Sequence, residues 1–226
     1  MTPEQLTPIL ERAECHIFDV DHTLVRHSTG RRFVQEGYRR GIIPARYVAW
    51  LPWFYLRYRL GSLSLRDLTR EITPLRGRTR TEIGELVDAA WNNRIKGDLY
   101  PDAVEYLARC RTRGATVVLA STSFDVILTP LAVHLNADET IASVLEFSED
   151  AATGWIEDGP CYAERKAERI ADVLARLAIP ARTCAFYTDS HHDLSSLELV
   201  GYPVAVHPDA LLRRIATRRA WPIVTW

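Results

Sequence analysis

The chain has 226 residues, 47% apolar and 25% charged, with a formal net charge of -1. That balance suits a globular protein with room for one α/β domain and an insertion, and it excludes disordered, collagen-like and coiled-coil architectures. The first residues, MTPEQLTPILERAEC, hold no long apolar stretch, and the longest central uncharged run, Tyr47–Leu56, is about half a bilayer span, so neither a secretory signal nor a membrane span is expected.

The first strand is read at Cys15–Val20, a short apolar, β-prone run. Residues 25–100 then break the α/β rhythm. They are rich in Arg and aromatics, with helical patches at Phe33–Arg40, Ala45–Leu60 (with Pro52 as a kink or break) and Thr81–Arg94. Charge follows the same division: Val25 to Tyr100 carries 15 basic against 7 acidic residues, and the rest of the chain 13 against 22. A basic segment inside an acidic frame fits an anionic ligand held between them, or simply a solvated helix surface.

Beyond Pro101 the alternation of helix and strand resumes. A helix at Asp102–Arg113 ends at Gly114, and a strand at Thr116–Ala120 leads into a helix at Phe124–Leu135. The stretch Leu145–Cys161 reads as a hairpin beside the sheet edge. A helix at Tyr162–Leu177, strands at Thr183–Tyr187 and Tyr202–Val206, a helix at Asp209–Arg219 and a last short strand near Ile223–Trp226 complete the chain. The expected fold is therefore α/β: a Rossmann-like parallel-sheet core from residues 1–24 and 101–226, with a helical cap, 25–100, inserted after the first strand. Cys15, Cys110, Cys161 and Cys184 form no C-x-x-C pair, which fits reduced thiols in the cytoplasm rather than a zinc site or a disulfide framework.

Four features carry chemistry. The first strand delivers Asp19 and Asp21 at its C-terminal end, the edge where open α/β sheets bind ligands. A calcium loop is rejected, because its sixth and twelfth positions would be Leu24 and Gly30 instead of Gly and Glu. Two solvated loop aspartates remain the plain alternative. A second acidic pair, Asp189 and Asp193, follows the strand TCAFYT; if the strands are neighbours, four carboxylates meet and demand a cation. Oxygen-only donors favour Mg²⁺, and His191 and His192 read as loop residues rather than ligands. Lys166 is one of only two lysines among 28 basic residues, and it shares a helical stripe with Ile170, Val173, Leu174 and Leu177. An ammonium on a core-facing stripe is costly unless paired. Finally, Ser121, Thr122 and Ser123 stand at a strand-to-helix junction, where hydroxyls serve either as an anion site or as an ordinary helix cap.

In this order, FDVDHTL, a helical insertion, VVLAS, a lysine and YTDSHHD, the chain resembles the haloacid dehalogenase-like hydrolases, specifically the subfamily similar to phosphoserine phosphatase. The resemblance implies Asp19 as nucleophile, Asp21 as acid/base, Ser121 with Thr122 and Thr23 around the phosphoryl group, and Lys166 as its neutralising cation. It implies Mg²⁺ held by Asp19, the backbone carbonyl of Asp21 and Asp189, with Asp193 holding the metal directly or through one of these ligands. Arg70 in LTREITPLRG is expected to bind substrate. Glycine is frequent in the family where His22 stands and before the last motif, where Thr188 stands. Phosphoserine phosphatases place an acid early in the cap, whereas His22–Gln35 contains none, so the expected substrate is a small phosphorylated metabolite other than free phosphoserine. A phosphotransferase or phosphomutase would use the same site. A non-enzymatic alternative has Trp50, Trp53, Arg57 and Arg59 docking an inactive core on an anionic membrane or partner. No nucleic-acid recognition motif accompanies the arginines.

Overall fold

The computed structural model describes residues 6–49, 52–53 and 73–226. After helix α1 (Thr7–Arg12) comes strand β1 (Cys15–Phe18), then α2 (Thr29–Arg39), α3 (Arg80–Ala90), α4 (Pro101–Thr112), β2 (Thr116–Phe124), α5 (Asp125–Leu135), β3 (Glu139–Ser148) and β4 (Ala151–Glu157). The order continues with α6 (Glu164–Arg176), β5 (Cys184–Thr188), α7 (Leu194–Leu199), β6 (Tyr202–Val206), α8 (Ala210–Arg218) and β7 (Ile223–Val224). One seven-stranded sheet runs β4-β3-β2-β1-β5-β6-β7, parallel throughout except for the antiparallel β3–β4 pair. The expected α/β class, with helices inserted after the first strand, is the one observed.

Successive residues of a strand face opposite sides, and both sides of this sheet are covered. On β1, Phe18 joins an apolar cluster with Phe33, Tyr106 of α4, Leu128 of α5 and Tyr187. Cys15 and Ile17 face the other way, onto Ile170 and Leu174 of α6, Leu197 of α7 and Leu212 of α8. All four cysteines are buried free thiols.

The sequence reading differs from the structure at two strands. β3 begins at Glu139, well before the expected hairpin, because its first half pairs with β2 while its second half pairs with β4. β2 runs past Ala120 to Phe124, with a shift of register between those two residues. Thus Ser121–Ser123 belong to an irregular strand end and do not form a helix cap: the cap position of α5 is Phe124.

The inserted stretch leaves and returns through two segments that pair antiparallel at Val25 and Leu99. Arg26 N–H donates to Asp98 O (2.9 Å) and Tyr100 N–H to Leu24 O (3.0 Å). It also joins the β3–β4 hairpin, with Gly77 N–H on Ala152 O and Ala152 N–H on Arg78 O, both at 2.8 Å. A capping box, Thr79 with Glu82, starts α3. The helix ends at Ala90 and continues as a π turn over Trp91–Ile95, so the expected Thr81–Arg94 patch is two elements. Among the described residues, no helix is long and apolar enough to cross a membrane.

Candidate active site

Register places the site. Phe18 pairs with Leu119 on one side and Tyr187 on the other, so Asp19 leaves β1 level with Ala120 of β2 and Thr188 of β5, and Ser121, still within β2, and Asp189, just past β5, follow one residue on along the same edge. Asp19 N–H still donates to Tyr187 O (2.8 Å), which fixes the residue as it leaves the sheet. The next turn is tight: the N–H groups of Thr23, Leu24 and Val25 all point to Val20 O. His22 sits there at φ 61°, in the left-handed region, the physical reason glycine is at home in that position. Its Nδ1–H donates to Arg26 O (3.0 Å), an anchor that glycine lacks.

Lys166 is 1% exposed and its Nζ donates to Asp19 Oδ1 (2.7 Å) and Asp193 Oδ2 (2.9 Å). Burial alone would push the ammonium toward losing its proton, but Asp19 and Asp193 outweigh that and hold it protonated. Asp193 also accepts from Thr188 Oγ1 (2.7 Å), so the threonine that replaces glycine before the last motif orients this acid. The Asp19 carboxyl is raised to about 7: burial pushes it up, Lys166 pulls it down, and Asp193 and Asp21 push it up again. The Asp189 carboxyl is raised well above its usual range by burial and by the neighbouring Asp19, Asp193 and Asp209.

One ammonium thus faces several acids. Among the described residues, no three His, Cys, Asp or Glu side chains converge as a metal group, and Asp193 is turned to Lys166 and Thr188. The residues that could hold a hard divalent cation are Asp19 and Asp189 with a main-chain carbonyl, which would offer oxygen donors only, and the electrostatic coupling of the two carboxyls puts them in one neighbourhood.

The hydroxyls are arranged around this edge. Ser121 is buried and its Oγ accepts from Ser123 N–H (3.1 Å). Thr122 O accepts from Ser143 Oγ (2.8 Å). Thr23 is fully buried, and its hydroxyl has no hydrogen-bond partner among the described residues. Asp21 Oδ1 accepts from the N–H (2.9 Å) and the hydroxyl (2.7 Å) of Thr29 at the start of α2. Arg70, Trp50, Arg57 and Arg59 lie outside the described residues, and Trp53 is exposed. A groove of about 560 Å³ between α3 and α5, lined by Arg80, Trp91, Val126, Pro130, His134 and Phe147, contains none of the strand-end acids.

Two residues near the site escaped the sequence reading. Asp209 Oδ1 caps α8, while its Oδ2 accepts from the backbone N–H (2.9 Å) and Nδ1 (2.8 Å) of His191. Asp209 N–H in turn donates to Asp189 O (2.8 Å), which braces the loop carrying the last acidic pair. The capping half of this role is legible in the motif PDALL. Thr29 is the other residue, and its signal was hidden behind the adjacent cap residue, Ser28.

Comparisons with known proteins bear on the family and the fold. The chain is 31% identical over 212 residues to an "Inhibition of morphological differentiation protein" from Streptomyces azureus, covering 92% of this chain and 76% of that protein. It is 25% identical over 227 residues to a phosphoserine phosphatase from Mycobacterium tuberculosis, covering 96% of this chain and 72% of the other. A crystal structure of a protein of unknown function from Bordetella pertussis superposes with a TM-score of 0.83 at 24% identity, over 93% of this chain and 97% of that one. A family model described as haloacid dehalogenase-like hydrolase matches residues 17–198, and the chain belongs to that family.

Proposed function

We propose that the protein is a Mg²⁺-dependent phosphomonoester hydrolase acting through an aspartyl-phosphate on Asp19. The observation that carries the reading is the buried Lys166 ammonium bridging Asp19 and Asp193 at the common end of β1 and β5. An ammonium held there has no packing purpose; it balances negative charge, both that of the acids and that of an incoming phosphoryl group.

In the first step a carboxylate oxygen of Asp19 attacks phosphorus in line with the leaving oxygen. The P–O bond to the alcohol breaks as the Asp19–phosphorus bond forms, and Asp21 gives its proton to the departing alkoxide. In the second step water attacks the same phosphorus and passes a proton to Asp21, and the bond to Asp19 breaks to release phosphate. Lys166, whose Nζ lies 2.7 Å from Asp19 Oδ1, offsets charge on the phosphoryl oxygens, and Ser121 and Thr122, with Thr23, supply polar groups around them. A magnesium ion held by Asp19, the Asp21 carbonyl and Asp189 would supply further charge stabilisation of the transferring group. Asp193 orients Lys166.

Residues 25–100 are the proposed cap that selects the leaving group, and Arg70 is its proposed substrate contact. The first described acid in that segment, Glu36, is fully engaged by Arg39, Arg94 and Asn93, and Asp98 is engaged by Arg32. Neither is available for a substrate ammonium, which supports a substrate other than free phosphoserine. Phosphate release from p-nitrophenyl phosphate tests the reading: it is expected with Mg²⁺ and lost with EDTA. Undiminished release by Asp19→Asn, or in the presence of EDTA, would overturn it.

A further inference from the structure

Thr29 lies at the first position of α2, in the inserted stretch, and is 1% exposed. Both of its donors converge on one atom, Asp21 Oδ1, the N–H at 2.9 Å and the hydroxyl at 2.7 Å. The same hydroxyl oxygen stands 2.6 Å from Ser123 Oγ at the end of β2. A hydroxyl carries one proton. With the Thr29 proton given to Asp21, the contact to Ser123 is made by the serine donating to Thr29 Oγ1. Ser123 N–H in turn donates to Ser121 Oγ (3.1 Å). One side chain therefore joins the loop after β1, the phosphoryl-side end of β2 and the first turn of α2. Helix capping does not account for it, because Ser28 already caps α2 through Arg31 N–H.

We infer that Thr29 is the positioning residue for Asp21, setting from the inserted stretch where the acid/base carboxyl stands relative to the leaving oxygen. The inference rests on the role proposed for Asp21. A general acid works only within hydrogen-bond reach of the atom it protonates. Without the Thr29 hydroxyl, Asp21 keeps one donor, the N–H, and its carboxyl is free to rotate about that single bond. The loss falls on substrates whose leaving oxygen must be protonated as it departs. It spares those that leave as stable anions.

The test compares phenyl phosphate with p-nitrophenyl phosphate, nearly equal in shape but different in leaving-group basicity. The reading taken is kcat/KM, which covers steps only through departure of the leaving group and excludes the later attack by water. Thr29→Val, which keeps the shape, is expected to lower kcat/KM for phenyl phosphate about 10-fold and for p-nitrophenyl phosphate less than about 3-fold, a fraction of the full general-acid effect. Thr29→Ser, which restores the hydroxyl, is expected to recover most of the difference. Equal losses on both substrates, or no loss on either, would overturn the inference, as would failure of Thr29→Ser to recover phenyl phosphate selectively. Asp21→Asn run alongside separates the two levels. If Asp21→Asn loses phenyl phosphate selectively and Thr29→Val does not, only the positioning role falls; if Asp21→Asn shows no selectivity, the acid role falls and takes the inference with it.

Discussion

Two buried charge clusters in this molecule are built with opposite imbalance. At the strand edge, one lysine serves Asp19 and Asp193, with Asp21 and Asp189 close by. In the inserted stretch, one acid serves three guanidiniums: Glu36 is fully buried and pairs with Arg39, Arg40 and Arg94, with Asn93 as a further donor. The consequences are opposite as well. Burial and neighbouring acids push Asp19 up to about 7, whereas the hydrogen bond from Arg39, with those of Asn93 and Arg94, holds Glu36 down at about 2. A carboxylate with spare donors around it is a finished structural knot. A carboxylate cluster short of positive charge has room for a cation and a phosphoryl group, and that shortage is what favours the strand edge as the proposed place of chemistry.

The sharpest way to break this contrast is Asp19→Asn. It removes the proposed nucleophile and should lower phosphate release by about 10⁴-fold or more. Because it also removes one charge from an over-acidic cluster, thermal unfolding should show a melting temperature no lower than that of the parent protein. Lys166→Met comes next. It leaves Asp19 and Asp193 buried without their cation, so turnover should fall by about 10³-fold and stability by about 3 kcal/mol in denaturant titrations. Glu36→Gln is the counterpart in the other cluster: a loss of about 1–2 kcal/mol, moderated because its arginine partners are partly exposed, with turnover within a few-fold of the parent.

The smallest effect sharpens the comparison through pH. Glu36 has a lowered folded pKa, so the stability it contributes is present above about pH 4.5 and is lost as pH falls toward about 2. Asp19 has a raised folded pKa, so with no divalent cation it costs stability as pH rises from about 4 to about 7, the range in which the unfolded chain ionises first. Denaturation curves in EDTA should therefore show the Asp19→Asn difference growing between pH 4 and 7. The Glu36→Gln difference should shrink below pH 4.5. A Glu36→Gln difference that persists unchanged to pH 2 would show that the carboxylate charge does not matter there.

The core was legible because its physics is local. Tyr202–Val206 was read with the bounds observed, and Lys166 announced itself as a rare lysine on the buried stripe of α6. Asp19 and Asp189 could be placed together because the ends of parallel strands share an edge once their order is right. What sequence could not give depends on contacts between distant stretches. The first half of β3 exists as a strand because β2 lies beside it, and the Asp209–His191 pair spans a loop and a helix start. Glu36, one residue beyond the acid-free stretch His22–Gln35, looks available in sequence and proves saturated only when Asn93 and Arg94 fold onto it. Thr29 lies ahead of the helical patch read at Phe33–Arg40, and its tie to Asp21 appears only when α2, which starts at Thr29, is in place. Arg70 lies outside the described residues.

The most direct test of the nucleophile is to stop the protein with acid during turnover of p-nitrophenyl phosphate with Mg²⁺ and to map its peptides by mass spectrometry. One phosphoryl group on the peptide containing Asp19, absent from the Asp19→Asn variant, is the predicted result. A phosphoryl group carried by a different residue, or turnover that continues in Asp19→Asn, would contradict the account.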